Sequence, residues 1–409
     1  MNPTEKPRLR GLDFQPVFHQ GQQMWYLRDP LSLTSRQLVV PGPLARLLSY
    51  LDGARTPSQI HHDFCQATGE SIDFAIISDA LQQLDAACLL DNARARQAQA
   101  DQLAAYRAQP QRPPALAELS YPAEAQALTR LFASYGRRHN PNSRPAWHGR
   151  GLISPHIDYQ RGGPVYAQVW QAAAAAVHAA DLVIIFGTDH YGGLGTLTLT
   201  HQPYATPYGV LPTDSALIDA LAAAIGLDAA FADELNHRHE HSVELSAVWL
   251  HHIYHQAGLA PKPMIPILVG SFQHFLENGR HPTDDARLTA FLEALRRATA
   301  GRRVLAVASV DLAHVGPNFG DPFHMDSRRR AALQVEDDAL MQTALQGDAA
   351  GWYARIAGVQ DRNRICGFSP VYLLLRYLGP TTGHKIAYDQ CPADPQNDSL
   401  VSICGLLLT

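Results

Sequence analysis

Leu-Val-Ile-Ile-Phe-Gly-Thr-Asp-His, residues 182–190, decides how most of this chain folds. Five consecutive apolar residues rich in β-branched types, closed by a glycine, predict a strand buried on both faces, as in the middle of a parallel sheet. His190 follows where that strand ends. Open α/β sheets gather ligands at the carboxyl ends of their strands, so a polar residue delivered there is a site candidate before any motif is named. Residues 151–159, Gly-Leu-Ile-Ser-Pro-His-Ile-Asp-Tyr, and 304–314, Val-Leu-Ala-Val-Ala-Ser-Val-Asp-Leu-Ala-His, repeat the grammar: an apolar run, then a histidine and a carboxylate. Three strand ends of this kind predict one shared pocket.

Working outward, an alanine-rich helix over about residues 165–178 separates the first two of these strands, and strand, helix, strand make a βαβ unit. Pro-Met-Ile-Pro-Ile-Leu-Val-Gly at 263–270 is a further buried strand, and Leu288, Phe291, Leu292 and Leu295 mark a helix before the strand at 304–309. The alternation predicts an α/β fold with a central, mostly parallel sheet and helices on both faces. A helix that starts at Tyr121-Pro122 and carries Leu128, Leu131 and Phe132 precedes it. Residues 201–209, rich in Pro and Tyr, read equally as an ordered loop or edge strand near the pocket or as a structural hairpin.

The N-terminal part has a different texture. A short strand at 24–27 precedes a helix over 43–51, where Leu44, Leu47, Leu48 and Leu51 stand at helical spacing. Thr56-Pro57-Ser58-Gln59 combines an N-cap, a proline at the first helical position and a glutamine three residues on, which starts a helix running to about residue 67. A longer helix from about Ile72 carries Phe74, Ile77, Leu81, Leu84 and Cys88 as one stripe. This predicts a small α+β domain of three short helices with flanking strands over residues 1–93. Residues 94–119 run from a polar helix into Pro110, Pro113 and Pro114, the composition of a linker, and the larger domain spans 120–409.

Length allows two or three such units, and 46% apolar with 17% charged residues is ordinary globular composition. A net charge of −5 argues against a duplex-binding surface, so no nucleic-acid partner is expected. No stretch is apolar enough for a membrane span, and the N-terminus lacks the apolar core of a secretory signal, which places the protein in the cytoplasm. Five scattered cysteines, an odd number, are expected as reduced thiols rather than a disulfide framework.

Two further stretches carry chemistry. Leu-Asn-His-Arg-His-Glu-His-Ser-Val-Glu, residues 235–244, brings several titratable groups to a helix start. It is not the HExxH zinc signature, because position 243 is valine. Acids at a helix start also suit the dipole, yet so dense a cluster predicts that Glu240, His241 and Glu244 line the pocket. Cys366 precedes an apolar helix at 371–378 and follows Arg362 and Arg364, a setting that favours its thiolate as ligand or nucleophile. A small buried packing residue is the alternative.

Taken in order, SPHIDY at 154–159, FGTDH at 186–190, EHSVEL at 240–245, IPILVG at 265–270, SVDLAH at 309–314 and ICG at 365–367 resemble the Memo family, whose long bacterial members are called AmmeMemoRadiSam system protein B. The resemblance implies the fold of the class III extradiol dioxygenases. It implies a metal held by His156, His190 and Cys366, with His314 as acid/base and Asp311 orienting it. Two imidazoles and one anionic ligand leave positions open, as in nonhaem iron oxygenases. A thiolate in place of a carboxylate softens the site, so Fe(II) is expected, with copper or zinc as alternatives, and ring cleavage itself comes into question. Asp158 and Asp189 depart from the family pattern and are read as partners that orient the imidazoles or as extra ligands. The N-terminal stretches 51–60 and 81–90 resemble the small winged-helix-like domains of the PqqD type, which implies a winged-helix-like fold for residues 1–93 and peptide capture at a sheet edge.

These observations lead to a metal-dependent, dioxygenase-like oxidoreductase acting on a small molecule or a peptide side chain. The alternative is a non-catalytic peptide-binding or adaptor protein working with a radical-SAM enzyme, a partner suggested only by the family name. A hydrolase using Cys366 as nucleophile would leave His156 and His190 without a purpose.

Overall fold

The computed structural model describes residues 5–19, 22–36, 38–69, 71–136 and 146–409. The extreme N-terminus, residues 1–4, read above for a signal, lies outside them. The chain divides into two compact units, Met1–Gln109 and Pro110–Thr409. Among the described residues no helix is long and apolar enough to cross a membrane.

In the first unit the strands Asp13–His19, Gln22–Arg28 and Leu38–Pro41 form an antiparallel sheet in sequential order. Helices follow over Gly42–Leu47, Pro57–Thr68, Phe74–Ala86 and Ala93–Ala108. The capping box forms as its residues demand: the Thr56 side chain accepts from the Gln59 N–H while the Gln59 side chain accepts from the Thr56 N–H. Ile60, Phe64, Ile77, Leu81 and Leu84 fill the core. The stripe ends sooner than its spacing predicts, because Phe74 is exposed and Cys88 lies beyond the helix in the left-handed region at φ 55°.

The expected linker is divided. Ala93–Ala108 is an Asn92-capped helix of the first unit, whereas residues from Pro110 belong to the second. The reason is Arg112, whose side chain is fully buried. The expected helix at Tyr121 begins four residues later, at Ala125–Gly136, and Tyr121 serves the core instead.

The second unit is an α/β fold built on a mixed sheet. From one edge its strands run His314–Val315, Leu400–Leu408, Gly151–Ser154, Val304–Ser309, Leu182–Thr188, Met264–Val269 and Leu197–Leu199, with Gly383–Pro392 also paired to Leu400–Leu408. The four central strands are parallel, and the flanking pairs are antiparallel. Buried strands alternate their side chains between two helical layers. Ile184, Phe186, Ala306 and Ala308 face a layer with Phe291 and Leu374, while Val183, Ile185, Leu305 and Val307 face one with Trp170 and Trp249.

Register then places the site. Ser309 lies level with Ser154 on one side and Gly187 on the other, so three parallel strands end side by side. His156, His190 and Asp311 emerge from those ends within a few residues. The helix His241–Gln256 packs beside them, and a Cβ at Gly187 would come within 2.6 Å of the Ser242 hydroxyl. Residues Tyr204–Thr206 and Gly209–Leu211 form a separate two-stranded hairpin.

Candidate metal centre

His156, His190 and His241 each offer a ligand atom, and these atoms all lie within 4.8 Å of one another. Their ring centroids are 4.7–5.1 Å apart. Each ring is held by its Nδ1. That of His156 donates to the Ser309 carbonyl at 2.9 Å and that of His190 to the Glu240 carboxylate at 3.1 Å, while that of His241 lies 3.0 Å from the same carboxylate as an ion-pair contact. An imidazole whose Nδ1 proton is committed to an oxygen keeps the lone pair on Nε2, the arrangement metal-ligating histidines use. His156 is buried, while His190 and His241 are partly open to solvent.

Glu240 is the organiser. It is buried, caps the helix His241–Gln256 by accepting from Ser242 N–H at 3.0 Å, and accepts from His190 N–H at 3.0 Å. Burial alone would raise its pKa, but the charges and hydrogen bonds of His190 and His241 hold it well below the usual carboxylate range. Burial alone would lower His190, and Glu240 reverses that to a net rise. At His156 burial, and then its two neighbouring imidazoles, outweigh the opposing charge of Glu240 and push it well down, so it stands neutral.

A second group adjoins through His156. Cys366 Sγ lies 3.3 Å from His156 Nε2, and Asp311 Oδ2 lies 3.7 Å from the same nitrogen. Asp311 is fixed by accepting at Oδ1 from the backbone N–H of His156 and Ile157, and burial raises its pKa to about 6. The expected thiolate-favouring setting for Cys366 is absent. Burial, with Asp311 beside it, pushes the thiol well up, while Arg364 is spent on Asp321 and Arg362 on Glu336. Cys366 therefore shares a group with His156 and Asp311, while His190 shares one with His156 and His241. The donors together suit a transition metal: borderline imidazole nitrogens, with a carboxylate and a soft sulfur adjoining.

His314 is oriented differently from the expectation. Its Nδ1 donates to the Leu312 and Arg364 carbonyls, both at 3.1 Å, rather than to Asp311. Burial lowers it to about 4, and it senses the charge of His190. Asp158 does not orient a ligand; it caps the helix Tyr159–Ala179 and binds Arg161. Asp189 accepts from Asn236 at 3.0 Å and from Tyr191 N–H, and burial raises it to about 6. Glu244 points away from the imidazoles and pairs with Arg112 at 2.6 Å. Glu240 is the extended N-cap of the helix His241–Gln256 (φ −68°, ψ 129°) whereas Glu244 lies within its first turn, so the two carboxylates reach different partners.

A cavity of about 200 Å³ touches the centre at Cys366 and is lined by Thr188, Asp189, Phe272, Arg364 and Ser369 among others. Larger hollows along the helix Ser327–Leu345 contain none of the candidate ligands. Sequence reasoning missed Arg112, whose only signal is an arginine set among prolines where a linker was expected.

Comparison with known proteins bears on this geometry. The family model described as Memo-like protein matches residues 112–407. A MEMO1 family protein of Aquifex aeolicus (strain VF5) is 26% identical over 405 residues, covering 98% of this chain and 99% of its own. A MEMO1 family protein of Methanopyrus kandleri is 28% identical over 291 residues, covering 68% and 91% respectively. Among solved structures, an uncharacterized protein from Escherichia coli K12 aligns over 63% of this chain and 99% of its own, at 14% identity and a TM-score of 0.35. With the family match running through nearly all of the second unit and every candidate ligand within it, the chain belongs to the Memo-like protein family.

Proposed function

We propose that the second unit is a metal-dependent oxidoreductase in which His156, His190 and His241 hold a ferrous ion, with Asp311 and Cys366 adjoining, and which acts on a small molecule or a peptide side chain. The observation that carries the reading is the convergence of three imidazoles: one ring nitrogen of each lies within 4.8 Å of those of the other two, and the Nδ1 of each lies against a buried oxygen. Iron held there supplies Lewis acidity and redox chemistry. The remaining work falls to the chain. Glu240 fixes the two solvent-side rings, Asp311 sits ready to hold a proton, and His314, neutral at physiological pH, is the proton acceptor.

Protein purified without metal-affinity resin after growth in iron-supplemented medium tests this. Near-stoichiometric iron in the wild type and its loss in His156→Ala are expected. Substoichiometric metal that His156→Ala leaves unchanged overturns the reading.

A second reading is a non-catalytic peptide-binding adaptor. It is supported by the strand Asp13–His19, which pairs only with Gln22–Arg28 among the described residues and exposes Phe14 and Phe18. Oxygen uptake with catechol and peptide panels separates the two: uptake above a metal-free control supports the enzyme, and none across the panels favours the adaptor. A radical-SAM enzyme is the proposed partner in either case.

A further inference from the structure

We infer that Arg112 is a positioning residue for the metal centre: its guanidinium clamps the turn from which Glu240 and His241 project. This rests on the metal-site reading above.

The side chain lies fully inside the protein, and each edge of its planar fork is used. Nε donates to the His237 carbonyl, and Nη2 donates to the Glu240 carbonyl at 3.0 Å. Those carbonyls bracket the last residues of the 3₁₀ turn Glu234–Arg238 and the cap of the following helix, so one cation spans the whole approach to His241. The Glu240 carboxylate on the other side of the same residue lies against the Nδ1 atoms of both His190 and His241, at 3.1 and 3.0 Å. Arg112 thus acts on two of the three proposed ligands through one intervening residue.

The clamp is itself held. Nη1 pairs with Glu244 at 2.6 Å, and the guanidinium lies over the Tyr204 ring, 4.6 Å from its centroid. Glu244 also accepts from Ala115 and Leu116 N–H, at 3.0 and 2.9 Å, and from the Tyr121 hydroxyl. Backbone bonds from Arg112 N–H to the Pro203 carbonyl and from Ala205 N–H to the Arg112 carbonyl stitch the segment to the hairpin. A charge this deep is costly unless fully paired, and here it is paired with a carboxylate and backbone carbonyls of the metal-bearing turn. Burying an arginine merely to close the fold would not require those particular carbonyls. The segment also lies where the family match begins, at residue 112.

The test uses Co(II) as probe in the full-length chain. Removing Arg112 alone strands a buried carboxylate, so the informative variant is Arg112→Met with Glu244→Gln, which removes both charges together. Arg112→Lys is the second variant, because an ammonium keeps the charge but cannot span both carbonyls. Both are expected to remain folded by circular dichroism, to bind Co(II) at least about tenfold more weakly than wild type, and to change its visible absorption. A purely structural role would lower the melting temperature and leave affinity and spectrum alone. An unchanged Kd and spectrum in the folded variants overturns this inference while leaving the metal reading intact. Wild-type protein that binds no Co(II), or binding that survives His190→Ala, overturns the metal reading and this inference with it.

Discussion

Glu240 shows how much one carboxylate can organise. It caps a helix, binds the N–H of His190 and contacts the Nδ1 atoms of two rings. Glu240→Gln keeps the size but loses the charge and one acceptor, so metal affinity should fall about 10- to 100-fold in a chelator-competition titration. His241→Ala should cost as much bound iron as His190→Ala, by elemental analysis; a His241 variant loaded like wild type would remove that ring from the ligand set. Away from the centre, Asp337 is buried with the Tyr388 hydroxyl as donor at 2.8 Å, and burial raises its pKa to about 6. A carboxyl that holds its proton more tightly folded than unfolded costs stability as pH rises from about 4 through 6. Asp337→Asn removes that cost, which is about 3 kcal/mol at most. Urea unfolding should therefore show the variant more stable than wild type at pH 8 and equal to it near pH 4.

At the scale of elements, the strand Leu182–Thr188 and the helix His241–Gln256 approach closely because residue 187 lacks a side chain. Gly187→Ala would press a methyl group against Ser242 and Val243, the two residues after His241. It should cost about 1–3 kcal/mol in denaturant unfolding and weaken metal binding along with it. Much of this level was legible. Five apolar residues before Gly187 could only be an interior strand, and Thr56 with Gln59 forms the capping box its spacing calls for. The helix behind SPHIDY begins at Tyr159, earlier than its alanines suggest, because Asp158 caps it and Pro164 is accommodated inside the helix. Periodicity sees the packed middle of a helix, whereas its first turn is set by a cap.

At the scale of the whole molecule, the second unit begins ten residues earlier than the prolines imply, since Arg112 and Tyr121 belong to its interior. A chain starting at Pro110 should therefore fold and match the full chain in any metal it binds, whereas one starting at residue 120 should melt lower and bind metal more weakly, by calorimetry and elemental analysis. Equal behaviour of the two would deny the segment any part in the core. The amino-acid order by itself dictated the interior strands, the polar ends they deliver and the family to which they point, because alternating burial and chain continuity are local properties written residue by residue. It could not dictate that His241 would join His156 and His190, that Glu244 would turn away toward Arg112, or that Asp158 would spend itself on a helix cap. Those outcomes follow from register between strands and from where a helix lies across them, which bring together groups as far apart in the chain as Arg112 and Glu240. No window of sequence contains both partners of such a contact.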